Sequence, residues 1–222
     1  MTVRVENSRN PSIFKRVMIH EKCPDCLKRH RLVCLDLETT GLSIQYNTII
    51  ELGVIEVVDG MVKREYAKLF GGGHSSLFLV KNVHHISNSE RRGKPTFAEC
   101  AERISSFLSG SILITHNGNS FDIPMIQHKL TASGFPLKNF RSIDTLQLVR
   151  KMRKAMKVEE SSKDDDSSVA THRNTLENLC AEFGLAYGGD DGSRSHRGLE
   201  DAEATLDLLF HLINSKLVEI SL

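Results

Sequence analysis

Four acidic side chains have the types and spacing to bind a hard cation. Asp36 and Glu38 stand two apart in "LVCLDLETTGL", residues 32–42, behind the apolar run Leu32, Val33, Cys34 and Leu35. Side chains in a strand alternate faces, so both carboxylates point the same way. Two readings follow. The pair is either the solvated face of an edge strand, or a pair held in a poorly hydrated place. In the second case like charges repel, and one acid takes up a proton unless a cation relieves the repulsion. Hard divalent ions such as Mg²⁺ use oxygen ligands of this kind.

Two more acids are candidates for the same point. Asp122 lies in "THNGNSFDIPMI", residues 115–126, after a short apolar run and a Gly-containing loop. It reads equally as a helix N-cap or as a ligand near a strand end, where α/β sites are built. Asp201 lies in "SHRGLEDAEATLDLLFHLI", residues 195–213. On a helical wheel it joins Thr205, Leu208 and Leu212, next to the row Ala202, Leu206, Leu209 and Ile213. That puts it on the buried side, where an acid is more often functional than structural. His196 precedes Asp201 by five residues, and only that neighbour makes it of interest.

The elements that must position these groups can be read in order. Residues 32–38 form a strand. Residues 48–58 and 61–70 form two more, joined at Asp59-Gly60, a two-residue hairpin signal. Phe97, Ala101, Ile104 and Leu108 share one helical face, and Thr96 and Glu99 have capping-box spacing. Residues 111–115 and 140–144 are short strands, and 123–132 is a helix with Pro124 in its first turn. A helix runs from 144 to about 155. Leu176, Leu179, Cys180 and Phe183 make a helical stripe ended by Gly184. A last helix covers about 198–214. This order predicts an α/β fold on a mixed five-stranded sheet flanked by helices.

Composition bounds the rest. The 222 residues carry a net charge of +1, 40% hydrophobic and 26% charged residues. These values fit an ordinary globular domain with no overall basic field. No apolar stretch reaches membrane-spanning length, and the polar start does not read as a leader. With five cysteines, an odd number, a reducing interior fits best, so the expectation is an intracellular protein, cytoplasmic or nuclear. Residues 1–31 form a basic N-terminal extension, flexible or a small zinc site. Residues 32–222 form the main domain, with a mobile acidic loop at about 157–171. In the extension, His20, Cys23, Cys26 and His30 have zinc-ligand types within "HEKCPDCLKRH". A plain surface turn and, less well, a redox Cys-x-x-Cys are the alternatives.

Together, "LDLETTGL", "HNGNSFDIPMI" and "HRGLEDAEATLDLL" resemble the three motifs of the DEDDh 3′→5′ exonucleases, which have a ribonuclease H-like fold. "VHHIS", residues 83–87, resembles a further segment between the first two motifs. The second motif is most similar to that of the three-prime repair exonucleases. The Pro-rich loop of those enzymes is absent, and His85 replaces a family Gly.

The resemblance implies that Asp36, Glu38, Asp122 and Asp201 hold two Mg²⁺ ions, with Mn²⁺ able to substitute. It implies His196 as general base. It implies that Thr39, Gly41, Leu42, His84, Ile86 and Asn117 bind substrate. Turn formation for Gly41 and core packing for Leu42 and Ile86 are the bland alternatives. The implied activity is metal-dependent release of nucleoside 5′-monophosphates from single-stranded or frayed DNA 3′ ends, as in DNA repair. RNA 3′ ends, a proofreading role with a polymerase, and an inactive end-binding module are the alternatives. A homodimer is implied by the same resemblance. With no Trp and three Tyr, base stacking on aromatics is limited, which favours weak sequence preference.

Overall fold

The computed structural model describes residues 22–72, 86–159, 174–188 and 197–220. Five strands form one sheet in the order β3-β2-β1-β4-β5: β1 (Leu32–Thr39), β2 (Ile49–Val58), β3 (Met61–Leu69), β4 (Ile112–Thr115) and β5 (Arg141–Asp144). β1 to β3 form an antiparallel meander, and β4 and β5 add on in parallel. The mixed five-stranded α/β sheet expected from the order of apolar runs is present. Asp59 and Gly60 turn the β2–β3 hairpin with φ of 52° and 72°, the left-handed pair that a two-residue turn requires.

The helices among the described residues are α1 (Asp25–Lys28), α2 (Asn88–Arg91), α3 (Phe97–Leu108), α4 (Asp122–Ala132), α5 (Thr145–Glu159), α6 (Leu176–Phe183) and α7 (Gly198–Asn214). α3 opens with the reciprocal Thr96–Glu99 capping box and buries Phe97, Ala101, Ile104 and Leu108. α6 ends at Gly184 in the left-handed conformation. α5 continues to Glu159, past residue 155 and into the segment read as an acidic loop. Lys157 to Glu159 contain no Gly or Pro, and Lys and Glu are good helix formers. The rest of that segment, like residues 1–21, lies outside the described residues.

Strand alternation sorts the core into two layers. Val33, Leu35 and Leu37 of β1 pack with Leu52, Val54 and Leu113 under α3 and α4. Leu32 and Cys34 face the other way, with Ile55, Val57, Ile112 and Ile114, against Ala202, Leu206, Leu209 and Phe210 of α7. Cys23 and Leu27, from the segment read as an extension, are buried in that second layer. No helix among the described residues is long and apolar enough to cross a membrane.

Candidate metal and active site

Asp36 and Glu38 continue the face of β1 that begins with Leu32 and Cys34, so they lie on the α7 side of the sheet. α7 is fixed there by its apolar rows and by Cys34, whose thiol donates to the Ala202 carbonyl at 3.0 Å. Asp201, in the first turn of α7, is thereby carried over the end of β1. Ligand oxygens of Asp36, Glu38 and Asp201 all lie within 4.8 Å of one another. This is the one such group of three among the described residues.

Asp122 completes the acidic surroundings from the opposite layer. Phe121, not Asp122, is the N-cap of α4, and it makes no side-chain cap. Asp122 sits one residue inside the helix, and its Oδ1 accepts the Leu37 N–H at 3.1 Å. That bond ties α4 to β1 beside Asp36 and Glu38. Asp122 is outside the closest group of three, yet its charge is felt by both strand acids.

Electrostatics bear on whether these residues fit a cation. Burial first, then the charges of Asp122, Asp201, Glu38 and Glu51, push the Asp36 carboxyl well above the usual range. Burial and the charges of Asp201, Glu51 and Asp122 push Glu38 up to about 8, against a lowering by Arg197. Burial raises Asp122 to about 7, although N–H groups, including that of Leu37, pull it down. Acids packed so closely cannot all ionise at neutral pH without added positive charge. A hard, oxygen-seeking divalent cation fits both the donor set and the charge deficit.

Three residues that the sequence reading passed over shape the site. Glu51 stands opposite Glu38 across the β1–β2 ladder and is fully buried. Its Oε1 accepts from Arg197 Nη2 at 2.8 Å and its Oε2 from the Gly198 N–H at 3.1 Å. The alternation that marked Asp36 and Glu38, carried across the hairpin register, would have found it. Asp144, buried at the end of β5, accepts the N–H groups of Asn117 and Asn119 at 2.9 and 3.1 Å and that of Leu146 at 3.0 Å. It holds the loop before Asp122 and caps α5 together. The Tyr187 hydroxyl hydrogen-bonds with Asp201, and burial together with the Asp201 charge pushes it far above its ordinary value. Tyr187 lies in an aperiodic stretch, and nothing local marks it.

The expected substrate residues divide. Thr39 is buried, its hydroxyl donating to the Gly41 carbonyl at 2.8 Å. Gly41 lies against Asn47, whose amide atoms a Cβ would meet at 2.8 Å. Asn47 Oδ1 in turn accepts the Ser43 N–H at 2.8 Å, and its Nδ2 donates to Thr40 Oγ1 at 3.2 Å. This locked loop holds Leu42 81% exposed and Tyr46 75% exposed. Core packing is thus ruled out for Leu42. Ile86 is buried and presents no side-chain surface. Asn117, expected to bind substrate, has φ of 62° and donates its N–H to Asp144, which orders the loop before Asp122. His84 and His196 lie outside the described residues, as does His20 of the proposed zinc set. Cys23 is buried with its Sγ toward the Pro24 carbonyl, and burial pushes its thiol up to about 11. Cys26 is exposed. Cys23, Cys26 and His30 do not converge into a ligand group in this structure.

Comparison with known proteins places this geometry. The chain is 29% identical over 199 residues to "DNA polymerase III PolC-type" of Staphylococcus saprophyticus, covering 89% of this chain and 12% of that protein. It is 24% identical to the "DNA polymerase III subunit epsilon" of Treponema pallidum, covering 80% of this chain and 74% of that one. The chain thus spans about an eighth of the PolC-type relatives' length. These relatives are polymerase III proteins rather than three-prime repair exonucleases. Among solved structures, an E. coli exonuclease I–ssDNA complex matches with TM-score 0.69 at 15% identity, over 85% of this chain and 41% of that one. Exonuclease X in complex with 5′ overhanging duplex DNA matches with TM-score 0.58 at 22% identity, over 85% and 94%. At such identities the structural matches speak for the fold alone. The family model described as "RNase_T: Exonuclease" matches residues 33–209, an interval that takes in Asp36, Glu38, Asp122, His196 and Asp201, and the chain belongs to that exonuclease family.

Proposed function

We propose that this chain is a metal-dependent 3′→5′ exonuclease acting on DNA 3′ ends, with Asp36, Glu38, Asp122 and Asp201 holding two Mg²⁺ or Mn²⁺ ions. One observation carries the reading: oxygens of Asp36, Glu38 and Asp201 converge within 4.8 Å in surroundings that leave them short of positive charge. Family membership supports the reaction class, and the DNA polymerase III relatives support DNA as the substrate.

When bound, a pair of divalent cations supplies Lewis-acid stabilisation for the attacking and leaving oxygens of an in-line phosphoryl displacement. The chain's own residues do the rest. Asp122, tied to Leu37, and Asp201, carried by α7, fix the ligand set from two layers. His196 takes the proton from the attacking water, a task suited to an imidazole whose reference pKa is about 6.5. Thr39 and Gly41 hold the loop that presents Leu42, whose exposed side chain packs on the terminal base. Tyr46 on the same loop offers a second apolar face. Asn117 orders the loop before Asp122 through its N–H on Asp144, the family resemblance sets His84 beside the terminal nucleotide, and buried Ile86 offers the substrate no side-chain contact. The domain is read as 32–222, with α1 docked on it through Leu27 and the preceding Cys23.

Purified protein should release nucleoside 5′-monophosphates from a 3′-OH single-stranded DNA only with Mg²⁺ or Mn²⁺. Internal cleavage, or release that persists in a chelator, would contradict the proposal. RNA and duplex 3′ ends in the same assay fix the substrate preference. The polymerase III relatives favour a second reading, in which the same activity proofreads for a polymerase; co-purification with one tests it. The homodimer implied by the repair-enzyme resemblance is tested by light scattering.

A further inference from the structure

We infer that Glu51 and Arg197 form a positioning clamp that sets the place of Asp201, and through it the affinity of the carboxylate group for divalent cation; this rests on the reading that Asp36, Glu38 and Asp201 hold that cation. Asp201 lies in the first turn of α7, its N–H donating to the Arg197 carbonyl at 3.1 Å. Its position therefore follows the start of the helix. Arg197 is the N-cap residue, yet no side chain of its own caps the turn. Glu51 supplies the missing acceptor from the sheet, taking the Gly198 N–H on Oε2. A carboxylate at a helix N-terminus also meets the favourable end of the helix dipole.

Glu51 is fully buried, and a buried charge needs a partner. Arg197 provides one through Nη2 on Oε1. Its other arm, Nη1, lies 3.5 Å from Glu90 Oε1, and Glu90 is the residue that closes the α2 capping box. Each Glu51 oxygen thus has a donor on α7 or its cap. Joining the ligand set would release the helix, so Glu51 acts beside the cation group and not in it. The approach is close because neither backbone carries a side chain there: a Cβ on Gly198 would lie 2.9 Å from the Gly53 nitrogen and 3.1 Å from the Asp36 carbonyl oxygen. Outer partners of this kind commonly change metal affinity or activity by about 10–100-fold when removed.

The test uses the full chain with Mn²⁺ as probe, free Mn²⁺ being counted by electron paramagnetic resonance. Glu51→Gln and Arg197→Gln should each weaken Mn²⁺ binding by about 10–100-fold, with turnover recovering at high Mn²⁺ and KM for DNA unmoved. Arg197→Lys should restore part of the affinity. The double variant should be little worse than either single one, as for a coupled pair. Variants that fold as judged by circular dichroism yet bind Mn²⁺ as the parent does would overturn the clamp. Arg197 is partly exposed, so its variants remain informative if Glu51→Gln does not fold. Asp201→Asn, run alongside, separates the two levels: unchanged Mn²⁺ affinity there sinks the cation reading itself, whereas loss there with Glu51→Gln unaffected sinks only the clamp.

Discussion

The backbones of Gly53 on β2 and Gly198 at the start of α7 are in direct contact: a Cβ on Gly53 would lie 1.9 Å from the Gly198 carbonyl carbon. No rotamer relieves such a clash, because both partners are main chain. The acid-bearing helix can lie against the sheet only while both positions stay bare. Gly53→Ala should therefore lift the start of α7 and cost about 3 kcal/mol or more, at the upper end of overpacking penalties. Chemical denaturation reads the loss, and Mn²⁺ affinity should fall with it. A variant of parental stability would show that the helix does not need this approach.

Metal-free protein should lose stability as pH rises from about 4 to 8. Below that window the site acids are protonated both folded and unfolded, and contribute nothing. Within it the unfolded chain ionises first, while Glu38, raised to about 8, and Asp122, raised to about 7, keep protons in the fold. The folded state then binds more protons, so unfolding becomes easier with each step in pH. Thermal melts in chelator across that range check the sign.

Saturating Mg²⁺ or Mn²⁺ at pH 8 should reverse that loss. A cation at 100 times its Kd adds about 2.7 kcal/mol, or about 5–10 °C in Tm for a chain of this size. Asp36→Asn removes both a ligand and a repelling charge. It should melt higher than the parent in chelator, gain little from metal, and show no nuclease activity.

How far this site could be read from the chain depended on periodicity. The pairing of Asp36 with Glu38 on one face, and the inward side of Asp201, follow from the two-residue and 3.6-residue repeats, and both are present. Asp122 had two readings, because a cap and a ligand look alike in one dimension. Its bond to the Leu37 N–H depends on packing between layers, which no local pattern encodes. Glu51 sits in the apolar run "TIIELG" as Asp36 does in its own, but its partners Arg197 and Gly198 lie nearly 150 positions away. Ile86 was read by motif as a nucleotide neighbour, yet burial claims it.

Leu42→Ala should raise KM for single-stranded DNA by about tenfold. The side chain is 81% exposed, and covering a Leu side chain is worth about 1.5–3 kcal/mol when complete. Stability should be unchanged, because an exposed side chain gives up no core contact. Steady-state kinetics on short oligonucleotides read the effect, and an unmoved KM would remove Leu42 from the substrate contacts.

His196→Ala should lower turnover by about 10²–10⁴-fold, the usual worth of a general base, with Mn²⁺ affinity retained. A loss below tenfold would assign the proton to another acceptor.

The central claim is that acids from β1 and α7 meet to hold a divalent cation at a 3′ end. Anomalous scattering from a crystal of the protein with Mn²⁺ and a single-stranded oligonucleotide tests it most directly. Manganese density among Asp36, Glu38 and Asp201, with the terminal phosphodiester against it, is the expected result. Bound oligonucleotide with manganese elsewhere, or those carboxylates turned apart, would contradict the account.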